Sequence, residues 1–136
     1  MSELNKAMKI AASGMLVQNV RVRVISQNIA NADSLATVPG GDPYRRQTIS
    51  FRNVFDKEIG TQKVAVNEIG VDRTPFSTRN DPGHPAADES GLVKLPNVKS
   101  MIEIVDLRAA ERAYQANLRV VDVARTMVAR TLELLQ

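Results

Sequence analysis

His84 is the only histidine in the chain, and Asp81 and Asp88 stand close to it on either side. An imidazole between two carboxylates is the raw material of a metal site or an acid–base pair. A metal centre needs three or four convergent ligands, however, and the run Asp81-Pro82-Gly83-His84-Pro85 reads better as a rigid turn with prolines on both sides of the imidazole. Arg45-Arg46 is the second candidate. Two adjacent guanidiniums suit an anion, but a solvated strand edge or an intersubunit salt bridge is the reading the sequence favours. No Ser–His–Asp arrangement, P-loop or Gly-rich dinucleotide fingerprint is present. Without cysteine there is no disulfide framework and no Cys-based zinc site. The sequence therefore assigns no catalytic residue, no metal ligand and no cofactor, and the chain is not expected to be an enzyme.

Composition narrows the field further. Aromatic residues make up 4% of the 136 positions and tryptophan is absent, so the large anchors of an independent core are scarce. The net charge of +3 is too small and too dispersed to argue for nucleic acid. No apolar stretch approaches the ~18 residues of a membrane-spanning helix, and no membrane insertion is expected. The N-terminal region carries Glu3, Lys6 and Lys9 and is interrupted by Ser13 and Gln18, unlike the apolar centre of a secretory signal.

What remains is a pattern at each end of the chain. Met8, Met15, Val22 and Ile29 recur every seven residues, with Leu4, Ala11, Gln18 and Ile25 interleaved. Leu107, Tyr114, Val121, Val128 and Leu135 repeat in the same way, with Ile104, Leu118 and Leu132 at the other seam position. Interleaved sevens put one narrow apolar stripe on a helix, the pattern of a coiled-coil seam. The first helix is expected over Glu3–Ala32, closed by Asn28, Asn31, Asp33 and Ser34, and the second from Asn97 or Val98 to Leu135 after Pro96. Gly14 inside the first helix marks a close contact or a bend, the contact being favoured. Asn117 beside the second seam is a register-setting polar group or an exposed asparagine. The charges Glu103, Asp106, Arg108, Glu111, Arg112, Arg119, Asp122, Arg125, Arg130 and Glu133 mix signs on the second helix, as on a solvated face or a register-tuning flank.

The segment between the helices collects most of the glycine and proline. Strands are expected over Tyr44–Phe51, Val64–Val71 and Leu92–Leu95, forming a small β-rich knob at one end of the helix pair. The organisation expected is 1–34 as an N-terminal axial helix, 35–96 as the β-rich and loop region, and 97–136 as a C-terminal axial helix. The fold class is mainly α with a small β-rich insertion, elongated, the two helices pairing as one coiled-coil unit.

The stretch Val24-Ile25-Ser26-Gln27-Asn28-Ile29-Ala30-Asn31-Ala32-Asp33, preceded by Ala12-Ser13-Gly14-Met15, resembles the N-terminal signature of bacterial flagellar rod and hook proteins. Ala110, Arg112, Tyr114, Ala116, Asn117 and Leu118 are similar to the matching C-terminal helix. Pro43-Tyr44-Arg45-Arg46-Gln47, Pro75-Phe76, the run Asp81–Asp88 and Val93–Val98 resemble the proximal-rod members of the basal-body rod family, although Asn80 and Leu92 stand where tyrosine is expected. The resemblance covers essentially the whole chain. It implies a structural subunit of the periplasm-spanning rod, exported by the flagellar type III apparatus without a cleaved signal peptide. Its partners would be other rod proteins, further copies of itself, and the base of the rod at the membrane-embedded ring. A helical adaptor or export chaperone of the same system is the alternative, and leaves the β-rich region unexplained. A basic coiled coil acting on nucleic acid or membrane would need a continuous basic face, which the interleaved acids interrupt.

Overall fold

The computed structural model describes residues 2–136. It contains two helices with a small β insertion: α1 (Glu3–Ala30), β1 (Gln47–Asp56), β2 (Thr61–Val71), β3 (Ser77–Asn80), β4 (Leu92–Leu95) and α2 (Ser100–Leu134). The strands form two separate two-stranded sheets, β1–β2 and β3–β4. No helix among the described residues is long and apolar enough to cross a membrane.

Local chemistry sets the helix ends. Ser2 opens α1: its Oγ accepts the Asn5 N–H at 3.2 Å and its carbonyl accepts the Lys6 N–H at 3.1 Å. At the other end the Asn31 side chain donates to the Gln27 carbonyl at 2.9 Å and accepts from Ser34 Oγ at 3.0 Å. The Asn31 side chain thus bonds locally at the helix end, to a carbonyl that also accepts the Asn31 N–H at 3.1 Å. The regular helix stops at Ala30, slightly before the expected Ala32. α2 begins at Ser100, later than expected, because Asn97 is committed elsewhere, as described below.

The chain divides into two compact units, each described on its own. The first comprises Met1–Val22, Ile49–Glu68 and Arg108–Gln136. Its helical portions meet where neither side chain is large. Gly14 is buried, and a Cβ placed on it would lie 2.7 Å from Asn117 Nδ2 and 3.0 Å from Asn117 Cγ. Ala11, Val17, Ala110 and Ala124 are buried within the same unit. Gly14 is thus a close contact, and Asn117 is its half-buried counterpart. The β1–β2 hairpin turns at Gly60, whose φ of 67° suits glycine, and Gly60 donates to the Asp56 carbonyl at 2.9 Å. Ile59 at this turn is 2% exposed. Asp56 pairs with Lys63 at 2.7 Å, which holds its carboxyl below the usual range, aided by the Glu58 N–H.

The close contact at Gly14 yields a test. Gly14→Ala gains roughly 1 kcal/mol of helix propensity but forces Asn117 aside, an overpacking cost of about 1–3 kcal/mol. The expected result in urea unfolding is a net loss in the native chain and a net gain in an Asn117→Ala background. Equal effects in both backgrounds would place the strain elsewhere.

The second unit comprises Arg23–Thr48 and Ile69–Leu107. Here β3 and β4 run antiparallel with Ser77 opposite Leu95 and Asn80 opposite Leu92. β4 matches its expected span. β3 carries no apolar alternation and was not expected: all four of its residues are exposed, and pairing with β4 holds it in place. Val93 is fully buried, with Val24, Ile25 and Ala86 also in this core. The first expected strand is displaced from Tyr44–Phe51 to Gln47–Asp56, and the second starts earlier, at Thr61.

Candidate assembly surface and the polar node beside it

The second unit is organised around a cluster of polar side chains. Asn28 is 1% exposed on α1 and uses its amide on both sides. Its Nδ2 donates to the Gln47 carbonyl at 2.9 Å, and its Oδ1 accepts the Gln47 N–H at 2.9 Å and the Tyr44 hydroxyl at 2.7 Å. To the backbone of Gln47, Asn28 presents one donor and one acceptor, as a neighbouring strand would. Its Nδ2 also lies 3.5 Å from Glu103 Oε2 on α2. Asn97 acts in the same way one segment later. Its Oδ1 accepts the Arg46 N–H at 2.7 Å, and its Nδ2 donates to the carbonyls of Asp72 and Thr74 at 2.9 and 3.2 Å.

Arg46 is the cation of this node. Its Nε donates to the buried Glu103 carboxylate, and its Nη atoms lie 3.5 Å from Asp72 and 3.9 Å from Asp106. Burial works against the Arg46 charge, but the Glu103 hydrogen bond and the three surrounding carboxylates outweigh it and push its pKa up. In place of the solvated edge or intersubunit salt bridge expected for Arg45-Arg46, both side chains have partners within the chain. Arg46 pairs within its own chain, and Arg45 stacks 4.2 Å over the Phe76 ring while donating to the Asp72 carbonyl. No buried side-chain polar atom among the described residues lacks a partner, so the node is satisfied in full.

The node makes the unit sensitive to pH at both extremes. Hydrogen bonds from the Thr74 hydroxyl and N–H, and then Arg46, hold the Asp72 carboxyl below its usual range. A lowered carboxyl contributes stability that is present above its unfolded value near ~3.9 and lost as pH falls through the folded value. Burial, and then the Glu103 charge, push the Tyr44 hydroxyl up. That contribution is present below about pH 10 and lost as pH rises through the folded value. Chemical unfolding across pH is expected to show both limbs, with Asp72→Asn flattening the acid one and Tyr44→Phe the alkaline one.

His84 and its neighbours serve the backbone. His84 Nδ1 accepts the Ala86 N–H at 3.0 Å, and Asp88 Oδ1 accepts the N–H groups of Ser90 and Leu92. The segment closes through Gly91, at φ 77° and against Pro82. Among the described residues, no group of three or more histidines and carboxylates is arranged to hold a metal ion.

The helix seams expected from the sequence take a different place. Ile25 is buried, whereas Leu4, Met8, Met15, Val22, Ile29, Ile104, Leu107, Tyr114, Val121 and Val128 are only half-buried in the chain by itself. Leu118, Leu132 and Leu135 are 40%, 57% and 79% exposed. The most buried residues of the helices fall on the expected pattern only at Ala11 and Ile25 of α1. On α2 they are Glu103, Ala110 and Ala124, which with the half-buried Asn117 form a seven-residue repeat without a large apolar side chain, which a search for apolar periodicity passes over. Further apolar side chains lie outside both sets. Val120, Val123 and Met127, about half exposed, line a groove of about 320 Å3 with Leu4 and Ala7 of α1. Met101, Ile102 and Val105 are exposed in the second unit.

A large set of apolar side chains is thus left open along both helices, around contacts made by small and polar residues. Exposed apolar patches of this kind are a general mark of interaction surfaces. Comparison with known proteins supplies the family. The family model for the flagellar basal body rod FlgEFG protein C-terminal matches residues 89–134. The chain is 49% identical over 136 residues to the flagellar basal-body rod protein FlgC of Agrobacterium fabrum, covering 100% of this chain and 98% of that protein. It is 37% identical to the protein of the same name in Borreliella burgdorferi, with 98% of each covered, and 38% identical to that of Salmonella typhimurium, with 92% of each covered.

Proposed function

The chain belongs to the FlgC family of flagellar basal-body rod proteins, and on that premise we propose that α1 and α2 build the rod by packing against helices of neighbouring subunits. As a flagellar rod protein it is a structural component of the basal body. Its place is the proximal part of the periplasm-spanning rod, above the membrane-embedded ring, in contact with other rod proteins and with further copies of itself. The seam positions Leu4, Met8, Met15, Val22, Ile25, Ile29, Ile104, Leu107, Tyr114, Leu118, Val121, Val128, Leu132 and Leu135 then become interior, with the terminal helices acting as one coiled-coil layer. The observation that supports this most is the half-exposure of nearly all these positions while the chain's own helices approach closely at Gly14 and Asn117, and Ala110 and Ala124 on the same repeat are buried.

The chain reaches that place through the flagellar type III export apparatus and has no catalytic task there. Part-covered apolar seams fit such a route, since they gain their full burial only on assembly. A clean deletion in the source bacterium tests the reading, with swimming scored and basal bodies imaged by electron microscopy. The expected result is loss of swimming with basal bodies that lack rods, restored by the intact gene. Normal rods would overturn the reading and favour the adaptor alternative.

A further inference from the structure

Where a strand residue of this chain lacks a neighbouring strand, another residue often stands in for one. Asn28 supplies one donor and one acceptor to the backbone of Gln47. Asp88 does the same at Leu92: its N–H donates to the Leu92 carbonyl at 3.0 Å, and its Oδ1 accepts the Leu92 N–H at 2.9 Å. The outer edge of β3 has no such substitute.

The β3–β4 register shows which groups that edge presents. The Asp81 N–H donates to the Gly91 carbonyl at 2.9 Å, and these two residues stand opposite one another one step beyond the Asn80–Leu92 pair. Bonded and non-bonded pairs alternate along an antiparallel ladder. Arg79 therefore bonds to Val93 and Ser77 to Leu95, while Thr78 and Asn80 turn their N–H and carbonyl groups away from β4. No second strand lies beside β3, and among the described residues no other backbone group bonds these four. All of β3 is exposed, and it carries neither the proline nor the bulge that commonly blocks an edge.

Resting on the rod-subunit reading, we propose that this edge takes an extended strand of a different protein, antiparallel to β3 and carrying a carboxylate opposite Arg79. A strand added in this way exchanges two hydrogen bonds with Thr78 and two with Asn80. It also sets one side chain directly across from Arg79, in the closely spaced kind of pair. The Arg79 side chain is 51% exposed and has a single 3.5 Å contact, to Asp81, which is a weak surface pair. A carboxylate is its complement. The same residue rejects the β3 edge of a second copy. The antiparallel self-pairing that uses all four groups places Arg79 against Arg79, and like charges directly opposite oppose pairing.

The first test is a titration followed through the backbone amide signals by NMR. The probes are the acetylated and amidated peptide Thr-Val-Glu-Val-Thr and its counterpart with lysine at the centre. The Thr78 and Asn80 signals are expected to move most, with the glutamate peptide binding up to about five-fold more tightly. Arg79→Glu should invert that preference. The second test is made in the deletion strain. Thr78→Pro and Asn80→Pro each delete one outward N–H and spare the ladder to β4. Both are expected to abolish swimming at an unchanged urea midpoint, whereas Thr78→Val and Asn80→Val, which keep the N–H, should swim. Where a proline variant unfolds at lower urea, the titration decides alone. Unmoved Thr78 and Asn80 signals, equal binding of the two peptides, swimming proline variants or non-swimming valine variants would each overturn the proposal. So would tighter binding of a peptide copying residues 65–71 of β2, which would give the edge to a second copy. A deletion strain that still swims would instead overturn the rod reading beneath it, leaving the titration result standing.

Discussion

Replacing Leu118 or Val121 with aspartate is expected to abolish incorporation into rods while leaving the soluble chain folded and expressed. Leu118 is 40% exposed in the chain by itself and Val121 is half-buried, so a carboxylate at either position keeps much of its water before assembly. In the assembly the same position would be covered. There the loss is about 1.5–3 kcal/mol of apolar burial per site, together with an effective desolvation penalty of several kcal/mol for an unpaired charge. The penalty recurs at every copy. Basal bodies purified from complemented deletion strains, probed for the chain, give the answer. Normal incorporation of both variants would remove these residues from the seam.

The second large effect is expected at Arg46. Arg46→Met leaves the Glu103 carboxylate, 1% exposed, without its cation. Removing one partner of a buried pair costs about 3–5 kcal/mol. With Arg46 itself 25% exposed, the lower end applies. A loss of that size is a large share of the ~5–15 kcal/mol that holds an ordinary domain together. Replacing both members, Arg46→Met with Glu103→Met, removes the orphaned charge and is expected to recover much of the loss. Urea unfolding of the four chains that make up this cycle measures the coupling. Additive effects would mean that the node is incidental to the stability of its unit.

These expectations rest on features of unequal visibility in the sequence. The helices were legible because apolar residues at sevens make a pattern that few other structures produce, and the α1 terminus was legible because asparagine and serine compete with helix. What escaped was contact made by small and polar side chains. Ala110 and Ala124 carry too little apolar surface to stand out, and Glu103 on the same repeat looks like any surface carboxylate until Arg46 and Asn28 are placed around it. The displaced start of β1 has the same origin. Tyr44, Arg45 and Arg46 alternate plausibly as strand residues, yet side-chain amides from Asn28 and Asn97 take the place of a partner strand at Arg46 and Gln47. β3 was invisible for the opposite reason, having no buried side chain to betray it.

The chain has two tyrosines and no tryptophan, and the tyrosines fall one in each unit: Tyr114 in the first and Tyr44 in the second. Each unit therefore contains its own intrinsic fluorophore. Tyr44→Phe leaves an emission signal that reports only the unit containing α2 beyond Arg108, and Tyr114→Phe leaves one that reports only the unit built around Asn28. Two single-fluorophore chains can thus show, without any attached dye, which unit acquires its order first when the chain folds.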